Sequence, residues 1–431
     1  MSGTSLGRSA LSRRAQECAN SPESPQWHVY SDQWHPSSNP GGYVNVGVAE
    51  NSLMHAELEA YIQTTTHVPQ TAFTYGDGPL GSKRLRKAVA RFLNRRLHPV
   101  LPLEMDHVIV TNGVSHAIEH TSWAFSFIPD ISLRPGVEAL TVSFGSVDPM
   151  SVEAVAKYED TILAAEERGI RAKALMLCSP HNPLGRCYSR EALLAYMRLC
   201  EKYQIHLVSD EIYAFSAWKN RHDSYPPPVE FTSVLSIAPE GIINPLLVHV
   251  LWGMSKGFGA NGLRVGYIIS QYNEAFREAL LEVAIYSYAT SVAEHIAAKI
   301  LEDDPWVDNY IQTNQTRLAE SYSLVVEFLN KHNIPYTPGA NAAFFLWVDL
   351  GKAYLERHPE QRRDAGEAQV DDGTSVKIMQ LLMKNKVFLG GGAVFGAETP
   401  GLFRIVFSHA RSYIEEALKR ITKAMGDMEV E

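Results

Sequence analysis

The chain has 431 residues, 45% of them hydrophobic and 20% charged, with a formal net charge of -9. That length exceeds one ordinary core and accommodates two, one of them large, in the balance of a globular protein. The charge has no long run of either sign, which argues against a nucleic-acid surface, and no apolar stretch is long enough to cross a bilayer.

Residues 1–42 are polar and rich in Ser, Pro and Gly, and they read as an N-terminal arm. Arg8, Arg13 and Arg14 among serines faintly resemble a mitochondrial presequence. A plain tail is the better reading, because Leu6 and Leu11 are almost its only large apolar residues. The run Val44–Val48 predicts a strand ending in a turn at Ala49-Glu50-Asn51. From Gly81 to Arg96 a helix is expected, with Leu85, Val89, Phe92 and Leu93 on one face. His107–Thr111 predicts a buried strand, turned by Asn112-Gly113 into a helix.

Further along, strands and helices alternate. Ala172–Leu177 reads as a strand, Ser189–Tyr203 as a helix capped by Ser189, and His206–Val208 as a strand ending on Ser209-Asp210-Glu211. Leu246–Leu251 and Val265–Ile269 predict two more strands. A long helix begins at Asp303-Asp304-Pro305 and runs through Lys331, and the charged stretch 355–374 reads as an exposed insertion. Such alternation implies a largely parallel sheet covered on both faces, with its chemistry at the carboxyl ends of the strands. Asn112, Asn182, Asp210 and Lys256 each fall just past a predicted strand end. The four cysteines, Cys18, Cys178, Cys187 and Cys200, have no CxxC spacing. They read as reduced thiols of a cytoplasmic protein.

The segment Gly253-Met-Ser255-Lys256-Gly-Phe-Gly259-Ala-Asn-Gly262-Leu-Arg264-Val-Gly266 carries the strongest chemical signal. Its lysine lies between two buried strands among small residues, whereas an ordinary lysine belongs on a solvated helix face. The four glycines in the ten residues after Lys256 suggest a backbone pressed against a bulky ligand. A lysine whose surroundings lower its pKa forms a Schiff base with an aldehyde, and Arg264 suits a phosphate dianion.

This run resembles the pyridoxal-phosphate lysine motif of the class I/II aminotransferase superfamily, the fold type I enzymes. Three more segments resemble that family in the same order: Ser179-Pro-His-Asn182-Pro-Leu-Gly185, Ser209-Asp210-Glu211-Ile-Tyr213, and Phe403-Arg404-Ile-Val-Phe407-Ser408. The resemblance spans about residues 43–425. Within the superfamily it is nearest to 1-aminocyclopropane-1-carboxylate synthase-like proteins, on Ala49-Glu50-Asn51 and Ile285-Tyr-Ser-Tyr-Ala-Thr-Ser291.

The resemblance implies an α/β fold: a mostly parallel, seven-stranded-type sheet between helices, one strand of it lost, plus a small α/β domain. The expected division is an arm at 1–42, a large cofactor-binding domain at 43–325 and a small C-terminal domain at 326–431, the N-terminal segment contributing to the small domain. It implies pyridoxal 5′-phosphate bound through Lys256 as an aldimine, with catalytic roles for Lys256, Asp210 and Tyr213. Asp210 would pair with the ring nitrogen and keep the ring an electron sink. Read alone, Asp210 is a helix N-cap, which leaves Tyr213 unexplained. Asn182 and Tyr213 would bond the ring's phenolic oxygen. Gly113, Val114 and Ser115 would offer backbone N–H groups to the phosphate at a helix N-terminus, completed by Ser255 and Arg264. Many relatives have a hydroxyl residue where this chain has Gly253, so one phosphate contact is lost. Arg404 would grip a substrate carboxylate with its two-pronged guanidinium. Glu50 is expected on the substrate side, and Tyr75 is expected to cross a homodimer interface to the neighbour's cofactor. His116 and His120, four residues apart, read as ordinary helix residues rather than a metal pair.

One departure stands out. Only the 22 residues 114–135 separate Gly113 from Gly136, whereas a helix–strand–helix unit with its connections needs on the order of 35–40. The gap reads either as a true deletion or as a mistaken gene model, and by the resemblance it takes in the loop whose aromatic residue stacks on the cofactor ring. Trp123, Phe125 and Phe127 are the candidates to replace it. The leading functional expectation is an aminotransferase that takes a free α-amino acid or α-keto acid through an α-carbanion. The alternatives are a synthase-like or carbon–sulfur lyase from the same carbanion, and a catalytically impaired relative that keeps the fold.

Overall fold

The computed structural model describes residues 11–20, 25–125, 139–359 and 370–426. Leu6, Arg8, Phe127 and the middle of the expected insertion lie outside them. Ten strands are described: β1 (Val44–Asn45), β2 (Val108–Asn112), β3 (Ala174–Cys178), β4 (His206–Asp210), β5 (Val248–Gly253), β6 (Val265–Ile269), β7 (Phe345–Asp349), β8 (Val387–Phe388), β9 (Gly390–Gly391) and β10 (Leu402–Val406). Five of them form the main sheet in the order β2-β6-β5-β4-β3. β3 pairs with β4, and β4 with β5, in parallel, while β6 runs antiparallel to both β5 and β2. Because β6 is the reversed strand, its beginning lies at the edge where the other four end. The loops after β2, β3, β4 and β5 and the residue before β6 therefore meet at one edge of the sheet.

Both faces are covered, as the apolar strands require. Val108 and Val110 of β2, Leu207 of β4 and Val265, Tyr267 and Ile269 of β6 pack into one core with the helices Lys83–Leu97, Arg190–Tyr203 and Ser291–Glu302. The alternate residues Ile109, Val208 and Ile268 face a second core with the helices Val114–Phe125, Glu274–Ala284 and Asp304–Lys331. The expected face of the Lys83–Leu97 helix is fully buried: Leu85, Val89, Phe92 and Leu93 are all at 0% exposure. Ser82 caps it by accepting from Leu85 N at 3.3 Å. Ser189 caps the Arg190–Tyr203 helix by accepting from Ala192 N at 3.1 Å. Asp303 accepts from Trp306 N at the start of the 28-residue helix Asp304–Lys331. That helix is about 42 Å long at ~1.5 Å per residue, and it packs in the second core with residues of β7 and β10.

The smaller sheets are β7-β10-β9, antiparallel with β10 central, and β1-β8, parallel. The strand expected over Val44–Val48 is only two residues long. At Val46 the chain changes partners, donating to Phe388 O at 3.0 Å while its own carbonyl accepts from Val406 N at 2.8 Å. The expected arm contains two short helices, Arg13–Asn20 and Pro25–Ser31. Among the described residues no helix is long and apolar enough to cross a membrane.

Among the described residues β3 ends the main-sheet order, and Met176 is 42% exposed there while Leu175 and Leu177 are buried on the opposite face. The stretch 126–138, in which the departure from the family pattern falls, lies outside the described residues.

Candidate active site

Lys256 follows β5, whose end is packed tightly against its neighbours. A Cβ on Gly253 would lie 3.0 Å from both Val114 Cγ2 and Val265 O, so a larger residue there would have to displace a strand or a helix start. Gly266 serves the same junction: a Cβ would meet the backbone of Gly113 and Val114 at 2.4–2.5 Å. Glycine at 266 thus lets the Val114–Phe125 helix begin directly on β6.

The Lys256 Nζ donates to Ala49 O at 2.6 Å. Burial, then the Arg404 guanidinium, pulls its pKa down to about 8 against the opposing pull of Glu50 and Asp210. Such a lysine gives up its proton more readily than an ordinary one, as a nucleophile or base requires. Without a covalent partner it is also a stability cost. Its folded pKa lies below the 10.5 of an ordinary lysine, so the penalty is fully present below pH ~8 and vanishes above ~10.5. Lys256→Met is therefore expected to stabilise the cofactor-free protein at pH 7 by on the order of 1–3 kcal/mol. The gain should shrink at pH 10, as thermal melts at the two pH values would read; a variant less stable than its parent at pH 7 would contradict this.

Asp210 closes β4. Its Oδ1 accepts from Ile212 N at 3.2 Å, and burial raises its pKa to about 6. A turn, not a helix, follows it, which removes the reading of Asp210 as a helix cap. Tyr213, buried, sets its ring edge against Phe344 and Phe345 at 5.5 and 5.2 Å, and burial raises its hydroxyl's pKa well above the ordinary value. Asn182 lies beyond β3, where its Oδ1 accepts from Arg404 Nη1 at 2.6 Å.

Arg404 is the middle residue of β10 and is 4% exposed. Its Nη2 donates to Gly47 O at 2.6 Å, and its guanidinium lies between the rings of Phe345 and Phe395, 4.4 and 4.3 Å from their centroids. Burial lowers its pKa to about 10. Its Nε is buried without a partner, and among the described residues it forms no ion pair. A buried guanidinium with no anion and an orphaned donor is energetically incomplete.

Arg264 adopts a left-handed conformation (φ 53°) just before β6, and its Nη1 donates to Asn261 O at 3.1 Å. Its Nη2 lies 2.6 Å from where a Cβ on Gly113 would stand. The Gly113 N–H is already used by Thr111 O at 2.8 Å, so Gly113 is not an available donor. The available N–H groups of that helix start belong to Val114 and Ser115. Ser255 is 5% exposed. Glu50 accepts from Asn261 Nδ2 at 2.8 Å, which ties it to the Arg264 loop.

Tyr75 stands apart from this cluster. It is 82% exposed, and Phe73 nearby in the chain and, on another segment, Ile285 and Tyr286 are also largely exposed; Ser291 Oγ donates to Thr74 O at 2.9 Å. The candidate replacements for the ring-stacking residue are also elsewhere. Trp123 is exposed. Phe125 stacks on His206 with centroids 3.6 Å apart. His206 begins β4 and Asp210 ends it, about 13 Å away at ~3.3 Å per residue. Phe127 lies outside the described residues. His116 bonds Asn112 O at 2.8 Å, and His120 bonds Ser287 Oγ at 3.2 Å. Sequence reasoning missed the carbonyls of Gly47 and Ala49 and the side chains of Asn261, Phe345 and Phe395. No residue-type signal marks a backbone acceptor or an aromatic contributed by a distant strand.

The family described as aminotransferase class I and II matches residues 42–421. The chain belongs to this family. A 1-aminocyclopropane-1-carboxylate synthase-like protein 1 of Takifugu rubripes is 28% identical over 93% of this chain, which spans 64% of that relative's length. A protein of Aspergillus oryzae named "Probable aminotransferase aclI" is 31% identical, with 89% of this chain and 91% of that one covered. Among solved structures, the Thermus thermophilus aspartate aminotransferase with maleate superposes with a TM-score of 0.69 at 20% identity, covering 96% of this chain and 99% of the other. The fold is that of fold type I aminotransferases, and the family's cofactor is pyridoxal 5′-phosphate.

Proposed function

We propose that this class I/II aminotransferase relative transfers the amino group of a free α-amino acid, using pyridoxal phosphate held on Lys256. The observation that carries the reading is two buried basic side chains that bear on each other, Lys256 after β5 and Arg404 in the middle of β10, the arginine with an orphaned Nε. Lys256 is pulled toward neutrality, and Arg404, without an anion, reaches toward the same centre and lowers the lysine's pKa further.

The residues suit the cofactor at each of its ends. Arg264, Ser255 and the N–H groups of Val114 and Ser115 would hold the phosphate. Asp210 would face the ring nitrogen, and Asn182 and Tyr213 the phenolic oxygen. When bound there, the cofactor supplies an aldehyde for the amino group and a ring that withdraws electrons from the α-carbon. Arg404 binds the substrate carboxylate in its fork between Phe345 and Phe395, giving up the bond to Asn182 that it makes in this state. Lys256, displaced from its carbonyl partner, takes the α-proton. Glu50, tied to Asn261, borders the substrate side. The exposed Phe73, Tyr75, Ile285 and Tyr286 favour burial against a second copy of the chain, where Tyr75 would reach the neighbour's site. The described cysteines are free thiols, in keeping with a cytoplasmic location.

Arg404→Lys is expected to raise the KM for the amino acid by about 10- to 100-fold, the loss of a charged bidentate pair. Cofactor affinity should change by less than about threefold, because a lysine keeps the charge but not the fork. Equal losses of both would give Arg404 a structural role.

Assaying α-keto-acid-dependent amino transfer against release of ammonia, pyruvate or a cyclopropane amino acid tests the reaction. Dominant release would make the chain a lyase built on the same residues. A second reading, an impaired relative, is favoured by Phe125 lying on His206, away from the end of β4 that carries Asp210. It expects the assay to find neither product at a rate typical of enzymes.

A further inference from the structure

The loop that carries Lys256 is held from below by its backbone carbonyls, each by a different side chain. Asn51 Nδ2 donates to Lys256 O at 3.3 Å, Asn314 Nδ2 to Gly257 O at 3.3 Å, Tyr310 Oη to Phe258 O at 2.7 Å, and His55 Nε2 meets Gly259 O at 3.1 Å. The two amides are also joined, Asn51 Nδ2 donating to Asn314 Oδ1 at 3.0 Å. Asn51, Tyr310 and Asn314 are at 1%, 1% and 0% exposure.

An asparagine in the interior of a helix is a poor helix former and costs free energy when buried without partners. Asn314 stands at such a position, well inside Asp304–Lys331. Its amide orientation follows from the network: the nitrogen must face Gly257 O and the oxygen must face the Asn51 donor. The fit is close on the other side as well. Gly259 has φ +62°, and a Cβ there would lie 2.3 Å from Asn51 O. Asn51 belongs to the same short segment whose Ala49 carbonyl receives the Lys256 Nζ and whose Glu50 carbonyl accepts from Ser408 Oγ at 2.6 Å, just beyond the Arg404 strand.

We infer that Asn51 and Asn314 form an amide pair that positions the lysine loop, holding Lys256 with its Nζ drawn back into the site between the cofactor and substrate ends. They are positioning residues, acting through the loop's backbone. The inference rests on Lys256 being the anchor, and the first readout needs no cofactor, so the two can fail separately. The groups that bear on Lys256 electrostatically are Arg404, Glu50, Asp210 and Arg264, and neither amide changes their charges.

The test is the pH profile of Lys256 acetylation by acetic anhydride in the full-length, cofactor-free protein, read by peptide mass spectrometry. The parent midpoint is expected near 8, the value to which burial draws Lys256. In Asn314→Leu the freed loop lets the amine reach water, and the midpoint rises by at least about one pH unit. With pyridoxal phosphate added, the rate at which borohydride fixes cofactor on Lys256 falls at least about tenfold in the same variant. Gln315→Ala removes a neighbouring bond, to Phe215 O at 3.3 Å, that does not touch the loop, and it keeps both parent values. A folded Asn314→Leu with parent midpoint and parent capture rate overturns the inference. Should Asn314→Leu fail to fold by circular dichroism, Asn51→Ala decides by the same two readouts, parent values again overturning it.

Discussion

Lys256→Ala is expected to retain no cofactor after borohydride reduction and denaturation, against about one per chain in the parent, and to lose at least about 10⁴-fold in turnover. Two functions disappear with one side chain: the amine that captures the aldehyde and the base that handles the α-proton. Among the described residues, Lys256 is the lysine whose charge bears on Asp210, and none bears on Arg404 or Tyr213. Non-covalent binding through Arg264 and Ser255 should persist more weakly, so the reduction step is what separates anchor from bystander. Radiolabelled cofactor trapped on a different lysine of the variant would remove Lys256 from its role.

Asp210→Ala should leave part of the cofactor bound and slow exchange of the substrate α-hydrogen with deuterated water by on the order of 10²–10⁴-fold. The buried carboxylate, raised to about 6 by burial against the weaker pull of the Ile212 N–H and Lys256, would gain a closer cation in a protonated ring nitrogen, and its pKa would then fall. The contribution of this group to cofactor binding is fully present above about pH 6, its cofactor-free value, and is lost as pH drops through the lowered one. The parent should consequently release cofactor on acidification more steeply than Asp210→Ala does. Exchange at the parent rate in the variant would leave Asp210 as a turn residue bonding Ile212 N.

Much of this site was legible in the chain because its chemistry depends on residue types at turns. Lys256, Asp210, Asn182 and Arg264 each follow or precede a strand whose apolar run marks it, and the reversed direction of β6 brings Arg264 to the same edge as the others. The helices were legible for a similar reason: Ser82, Ser189 and Asp303 announce starts that the backbone N–H groups demand. What was not legible depends on long-range contact. That Gly113 has already spent its N–H on Thr111 O follows from local turn geometry that residue type does not reveal. The carbonyls that receive Lys256 and Arg404 belong to Ala49 and Gly47, whose side chains carry no information. Gly253 reads as a lost phosphate contact in sequence, whereas its packing against Val114 and Val265 gives a steric reason for glycine. Phe125 looked like a substitute ring-stacking residue because it lies in the right stretch of sequence. The Val114–Phe125 helix carries it instead to the opposite end of β4.

The place of Phe125, on His206 rather than beside Asp210, bears most on whether this chain works as its family does. A missing stacking residue forgoes a contact of roughly 0.5–1.5 kcal/mol beyond burial, about tenfold in cofactor affinity at most. The covalent link to Lys256 is unaffected by it. Cofactor capture is therefore expected to survive, with weaker retention than a full aromatic loop would give.

The most direct measurement is the visible absorption spectrum of the purified chain after incubation with pyridoxal phosphate and removal of the excess, recorded before and after adding amino acids. The account predicts a visible band from cofactor held on Lys256, and its loss on adding an amino acid whose carboxylate Arg404 accepts. A colourless protein from which borohydride fixes no cofactor would contradict it.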